Sequence, residues 1–131
     1  MVQETPTILL VDDSEHILTL MEEMLRQVGY SVITAHTGEI ALEIFNAQKI
    51  GLILLDVIMP GISGLEVLAA VRASKPESKR TVPVIIVSVK SSIEDIDSAI
   101  AAGVNSYLVK PFRSEALTER IAQVLDAKKN F

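Results

Sequence analysis

Five residues able to do chemistry stand at the ends of short apolar runs. Asp12 and Asp13 follow Thr7–Val11, Asp56 follows Leu52–Leu55, Ser88 follows residues 84–87, and Lys110 follows Ser106–Val109. Drawn together, three carboxylates repel: two unit charges about 4 Å apart cost roughly 4 kcal/mol at an effective dielectric of about 20. A divalent cation relieves that repulsion. All-oxygen ligation without histidine or cysteine selects a hard ion, and few carboxylates with room left for water and phosphate oxygens suit Mg²⁺ better than Ca²⁺. An aspartate carboxylate is also a competent nucleophile towards phosphorus and forms an acyl phosphate. An ammonium such as Lys110 pairs with a carboxylate at rest and with a phosphoryl oxygen after reaction, while Ser88 supplies a hydroxyl donor. Asp56, on the middle run, is the candidate nucleophile.

Taken singly, each residue has an ordinary role. An Asp pair after a strand commonly caps a helix, Ser88 could do the same, and Lys110 could be a solvated surface residue. Asp56 is less easily dismissed, since it follows Leu52–Leu55 into a setting where an unpaired charge is costly. Joint occurrence at the ends of four strands carries the functional reading.

The elements that must position these residues are legible in the apolar pattern. The runs Thr7–Val11, Ser31–Ala35, Leu52–Leu55, 84–87 and Ser106–Val109 have the length and composition of strands. Two of them are continuously apolar, as strands covered on both faces by helices must be. Between them, Ile17, Leu20, Met21, Met24, Leu25 and Val28 form one helical stripe that stops at Gly29. Residues 38–48 and 64–73 predict two further helices, the first with Ile40, Leu42, Ile44 and Phe45, the second with Leu65, Leu68 and Ala69 facing inward. Residues 91–102 open with Ser91 and an acidic first turn and close at Gly103. Ser114 heads the last helix, whose inward face is Leu117, Ile121, Val124 and Leu125. This βα alternation predicts an α/β fold, a doubly wound parallel sheet of five strands, with its reactive crevice beyond the carboxyl ends of the strands.

Composition narrows the class. The 131 residues suffice for one domain with a real core, and the absence of cysteine removes disulfides, thiolate metal sites and cysteine nucleophiles. Residues 1–7 carry Gln3 and Glu4 and no basic stretch ahead of an apolar one, so they do not read as a signal peptide. No apolar run approaches the length of a membrane span. The expectation is a soluble cytoplasmic protein. A net charge of -5 argues against direct nucleic-acid binding, and the basic residues Lys75, Lys79, Arg80, Lys128 and Lys129 are expected to be solvated surface. His16 and His36 lack partners at ligand spacing and receive no role.

With these residues in place, the chain resembles the response-regulator receiver family, the CheY-like superfamily, over essentially its whole length. The Asp12-Asp13 pair, the run Asp56-Val57-Ile58-Met59-Pro60 with Gly64, the hydroxyl of Ser88, and Lys110-Pro111-Phe112 stand in the family's order and spacing. The resemblance implies a flavodoxin-like (βα)5 fold with strand order 2-1-3-4-5 and a single receiver domain over residues 1–131. It implies that Asp13 and Asp56 bind Mg²⁺ directly, Asp12 largely through water, and that the backbone carbonyl of Ile58 completes the ligands. Asp56 would accept phosphoryl from the phosphohistidine of a histidine kinase or phosphotransfer protein, making the chain a signalling switch rather than an enzyme. Ser88 would then turn towards the phosphoryl group and Tyr107 would rotate inward behind it. The Lys110–Pro111 bond is expected to be cis.

Val89 stands where the family usually keeps Ala or Gly, so its branched side chain would narrow access to the site. Ile58 and Lys90 occupy the positions that tune self-dephosphorylation, and an apolar residue at the first cannot orient an attacking water. A long-lived aspartyl phosphate follows. Two rivals fit less well. A haloacid-dehalogenase phosphatase wants Asp-x-Asp, and Ser14 stands where its second aspartate belongs. A flavodoxin needs a hydroxyl- and glycine-rich phosphate loop, and Asp12, Asp13 and Glu15 would repel a flavin phosphate. A receiver that no longer takes phosphate would not need the complete set of site residues. With no output domain expected in the sequence, signalling would go through the face built from residues 91–102, the last strand and the last helix. Its reader would be an output protein of unknown identity or a phosphorylation-dependent dimer.

Overall fold

The structure, a computed structural model, describes residues 5–129, the side chains of residues 128 and 129 excepted. The expectations for Gln3, Glu4, Lys128 and Lys129 therefore fall outside the described part. Along the chain run β1 (Thr7–Val11), α1 (Glu15–Gln27), β2 (Ser31–Ala35), α2 (Gly38–Ala47), β3 (Leu52–Leu55) and α3 (Gly64–Arg72). They are followed by α4 (Glu77–Arg80), β4 (Val84–Ser88), α5 (Ile93–Ala101), β5 (Ser106–Val109) and α6 (Ser114–Lys129). The five strands are all parallel, in the order β2-β1-β3-β4-β5. The fold is the doubly wound α/β sheet of the sequence reading.

The pleat sorts strand residues strictly by parity. Leu9, Val11, Ile53, Leu55, Val84 and Ile86 face the core formed with α2, α3 and α5. Ile8, Leu10, Leu52, Leu54, Ile85 and Val87 face the other core, under α1 and α6. Both faces of the central strands are thus dry, which is why β1, β3 and β4 read as unbroken aliphatic runs.

Several helical details differ from the expectation. On α1 the inward residue Leu18 is buried, while Leu20 and Val28 of the predicted stripe are exposed. On α3, which starts at Gly64 as expected, the inward face is Gly64, Val67, Leu68 and Val71, spaced three and four apart; Leu65 lies at its edge, partly buried, and Ala69 falls on the exposed side. Ser92, not Ser91, caps α5, its hydroxyl accepting from the Asp95 N–H at 3.1 Å. The single turn α4 carried no periodic signal. It corrects the reading of Lys79 as solvated, since the Lys79 ammonium donates to the Phe45 carbonyl at 2.6 Å and lies 4.9 Å from the Phe45 ring centre. Lys79 thereby satisfies a carbonyl in the last turn of α2 that the helix itself leaves unpaired.

Candidate functional site

Strands β1 and β3 lie side by side where the strand order reverses, so their carboxyl ends open the crevice that such sheets use for ligands. The ladder runs into the site residues themselves: the Asp56 N–H donates to the Val11 carbonyl at 3.0 Å and the Asp12 N–H to the Ala35 carbonyl at 3.2 Å. At the far side, the Lys110 N–H bonds the Ser88 carbonyl at 2.8 Å and aligns the ends of β4 and β5. The sheet fixes all four strand-end residues by main-chain bonds before any side chain acts.

Asp12, Asp13 and Asp56 each turn a carboxylate oxygen into one cluster in which those atoms lie within 4.8 Å of one another. Capping of α1 does not consume the pair, because Ser14 takes that position and accepts from the Ile17 N–H. Asp12 and Asp56 are buried and Asp13 is exposed. Lys110 reaches across both, with its Nζ 2.7 Å from Asp12 Oδ2 and 3.2 Å from Asp56 Oδ2. The second Asp56 oxygen accepts the Ile58 N–H at 3.2 Å, which turns the chain sharply out of β3.

Burial pushes the Asp56 carboxyl above the usual aspartate range, against the pull of the Lys110 charge and the Ile58 N–H, and the Asp12 charge adds to the rise. Burial works to lower the Lys110 ammonium, but its bond to Asp12 and the charges of Asp56 and Asp12 outweigh it and hold the group above an ordinary lysine. The pocket holds more negative charge than one ammonium balances, and its donors are all oxygen. That donor set fits a small hard cation.

Gly64 brings α3 up to the site. Its N–H bonds the Val57 carbonyl at 3.0 Å, and a methyl group there would collide with the Asp56 carbonyl and lie 2.8 Å from the Val57 Cα. Gly64→Ala is expected to destabilise the fold by about 3 kcal/mol through forced displacement of backbone, read as a lowered urea midpoint. An unchanged midpoint would show that the loop gives way freely.

Ser88 and Tyr107 both bond the main chain of Lys90. The buried Ser88 hydroxyl accepts from the Lys90 N–H at 3.2 Å, and the Tyr107 hydroxyl donates to the Lys90 carbonyl at 2.8 Å. Tyr107 is half-buried and packs against the α2, α3 and α5 core. Burial raises its phenol against the opposing pull of the Ser88 hydroxyl beside it, and the charges of Asp95 and Asp56 add to the rise. This main-chain link escaped the sequence reading, which has no means of seeing what a carbonyl accepts. Val89 is 61% exposed and points its bulk largely to solvent. The Lys90 ammonium lies 4.0 Å from Asp95, on α5. His16 and His36 are exposed. The Lys110–Pro111 bond is cis, as expected, and so is Lys75–Pro76.

Fold and site together define a receiver module, and the chain belongs to the response regulator receiver domain family, whose model matches residues 8–122. It is similar to the uncharacterized transcriptional regulatory protein YrkP of Bacillus subtilis, 39% identical over 114 residues that make up 87% of this chain and 47% of that protein. The chemotaxis protein CheY4 of Vibrio cholerae superposes with a TM-score of 0.87 at 31% identity, covering 92% of this chain and 99% of its own. The receiver domain of the sensor histidine kinase PA1611 from Pseudomonas aeruginosa matches with a TM-score of 0.84 at 31% identity, covering 94% and 99%, and holds a magnesium ion in its active-site cleft. The chain spans about half the length of the curated relatives it matches. Among the described residues, no helix is long and apolar enough to cross a membrane.

Proposed function

We propose that the chain is a phosphorylation-dependent switch of a two-component system in which Asp56 accepts a phosphoryl group from the phosphohistidine of a histidine kinase or phosphotransfer protein. The observation that carries this reading is the convergence of three carboxylates within 4.8 Å beside the Lys110 ammonium. Mg²⁺ would be held by Asp13 and Asp56 directly, by Asp12 mainly through water, and by the Ile58 carbonyl. When bound, it would neutralise charge on the transferring group.

An Asp56 carboxylate oxygen attacks phosphorus, the new O–P bond forming as the P–N bond to the imidazole breaks, and the imidazole leaves with the electron pair. Lys110, freed from Asp56 as that carboxylate becomes an acyl phosphate, pairs with a phosphoryl oxygen while keeping its bond to Asp12. Ser88 turns its hydroxyl to the phosphoryl group and so gives up the Lys90 N–H. Tyr107 feels the change through the Lys90 carbonyl. The state is then read on the face of α5, β5 and α6, by an output protein or by a second copy of the chain. The domain promotes its own phosphorylation and dephosphorylation but turns over no external product.

Incubation with acetyl phosphate and Mg²⁺ followed by intact-mass measurement tests the reading. One added phosphoryl group is expected, and none when EDTA removes the metal. Incorporation that is indifferent to EDTA would contradict the metal's part. Once formed, the acyl phosphate is expected to persist for minutes or longer. The exposed Ile58 side chain offers no hydrogen-bonding atom to a water, and Lys90 is directed to Asp95. A lifetime of seconds, followed by phosphate release with Mg²⁺ present, would contradict it.

A further inference from the structure

Helix α5 is anchored very unevenly. Its C-terminal end is tied down by a guanidinium that meets main-chain carbonyls and one amide, with no carboxylate partner among the described residues. Arg72, at the end of α3, donates from Nε to the Gly103 carbonyl at 3.0 Å and from Nη2 to the Asn105 side-chain oxygen at 2.8 Å. Its Nη1 donates to the carbonyls of Arg80 at 2.8 Å and Val82 at 2.7 Å. Asn105 in turn locks onto β4, its side-chain oxygen accepting the Val84 N–H at 2.8 Å and its own N–H donating to the Val84 carbonyl at 2.9 Å. The turn between has no slack: Gly103 sits at a φ of 97°, the Val104 N–H bonds back to the Ala99 carbonyl, and an added Cβ at Gly103 would lie 3.2 Å from Arg72 Nε. Ala99, fully buried, sits just before this knot.

The N-terminal half has no comparable hold. Ile93 is 78% exposed, no residue of α5 before Ala99 is buried, and Ser92 caps the helix from within its own segment. Among the described residues, its polar links to the rest of the domain are the Tyr107 hydroxyl on the Lys90 carbonyl and the long Lys90–Asp95 pair. Both hang on the loop that leaves Ser88.

We propose that Arg72 and Asn105 form a fixed pivot at the C-terminal end of α5, so that phosphorylation of Asp56 swings the helix's N-terminal half while residues 99–105 stay in place. This deepens the switch reading above and rests on it. A helix held at one end by four hydrogen bonds to α3 and β4, with Arg72 itself fixed by two more, and at the other end by a loop that must rearrange, moves as a hinged lever rather than by sliding. The change at the site is thereby delivered at the Ile93 end of the output face.

The chain contains no cysteine, so engineered pairs can be spin-labelled cleanly. Glu43, Ile93 and Ala101 are exposed, and Glu43→Cys on α2 serves as the reference for Ile93→Cys at one end of α5 and Ala101→Cys at the other. Distances are measured by pulsed electron resonance on the full chain before and after acetyl phosphate with Mg²⁺, and intact mass reports phosphoryl addition on the same samples. The 43–93 distribution is expected to shift and the 43–101 distribution to stay. In Arg72→Met, and independently in the milder Asn105→Ala, the 43–101 distribution is expected to shift as well. Phosphorylated protein in which both ends move together, or neither moves, would overturn the pivot, as would a 43–101 distance unmoved in both variants. Absence of any added phosphoryl group would instead overturn the underlying reading of Asp56, and the pivot with it.

Discussion

Asp56→Asn is expected to abolish phosphoryl incorporation and, without Mg²⁺, to leave the fold more stable than the unaltered chain at neutral pH. The amide keeps the shape of the side chain but lacks the nucleophilic oxygen. The stability gain follows from the direction of the Asp56 shift. Its carboxyl is held above the usual aspartate range, chiefly by burial. Below the unfolded-state value both states keep the proton, and the group contributes its full stability. As pH rises through the higher folded-state value, the folded protein must give up the proton in a buried site, and that stability is lost. Asparagine stays neutral throughout, so the advantage of the variant should grow from acid to neutral pH. Urea titrations across that range would show it. A variant less stable at neutral pH than the unaltered chain would mean that Lys110 more than balances Asp56.

Lys110→Met should act in the opposite sense. It strips the ammonium from two carboxylates whose side chains are 5% and 11% exposed. Breaking a buried pair on one side typically costs 3–5 kcal/mol, and partial access of water to Lys110 places the expected loss near the low end, about 3 kcal/mol. Mg²⁺ should restore part of it. The lysine's raised value fixes the pH dependence: the stability it brings is complete below the unfolded-state lysine value and disappears as pH climbs through the folded-state one. The difference between variant and unaltered chain should therefore vanish at strongly alkaline pH. Phosphoryl incorporation should slow roughly a hundredfold with the loss of one charge aimed at the transferring group. A midpoint and a rate both unchanged would remove Lys110 from the site.

Much of this architecture was legible because the parallel sheet writes itself plainly. Strands buried on both faces must be continuously aliphatic, and any polar residue ending such a run is conspicuous, as Asp12, Asp56 and Ser88 are. Strand limits came out almost unchanged for the same reason. The amphipathic helices were less exact, since a stripe such as that of α1 tolerates a modest rotation about the helix axis that buries Leu18 in place of Leu20. The cap of α1 illustrates a further limit: spacing offered the aspartate pair for that role, and the fold gives it to Ser14 instead, leaving the pair for the cluster. What stayed hidden depends on main-chain acceptors. The Lys90 peptide joining Ser88 to Tyr107, Lys79 on the end of α2, and Arg72 on four acceptors across three segments leave no trace in residue spacing. A donor's type is visible in a sequence, whereas the carbonyl it will find is set by the tertiary fold.

The most direct test is to locate the phosphoryl group. The chain is loaded with acetyl phosphate and Mg²⁺, reduced with borohydride to convert the acyl phosphate to an alcohol, and digested for peptide mass analysis. The modification is predicted on Asp56 and on no other carboxylate. Finding it on Asp12 or Asp13, or spread over surface carboxylates, would contradict the site as described.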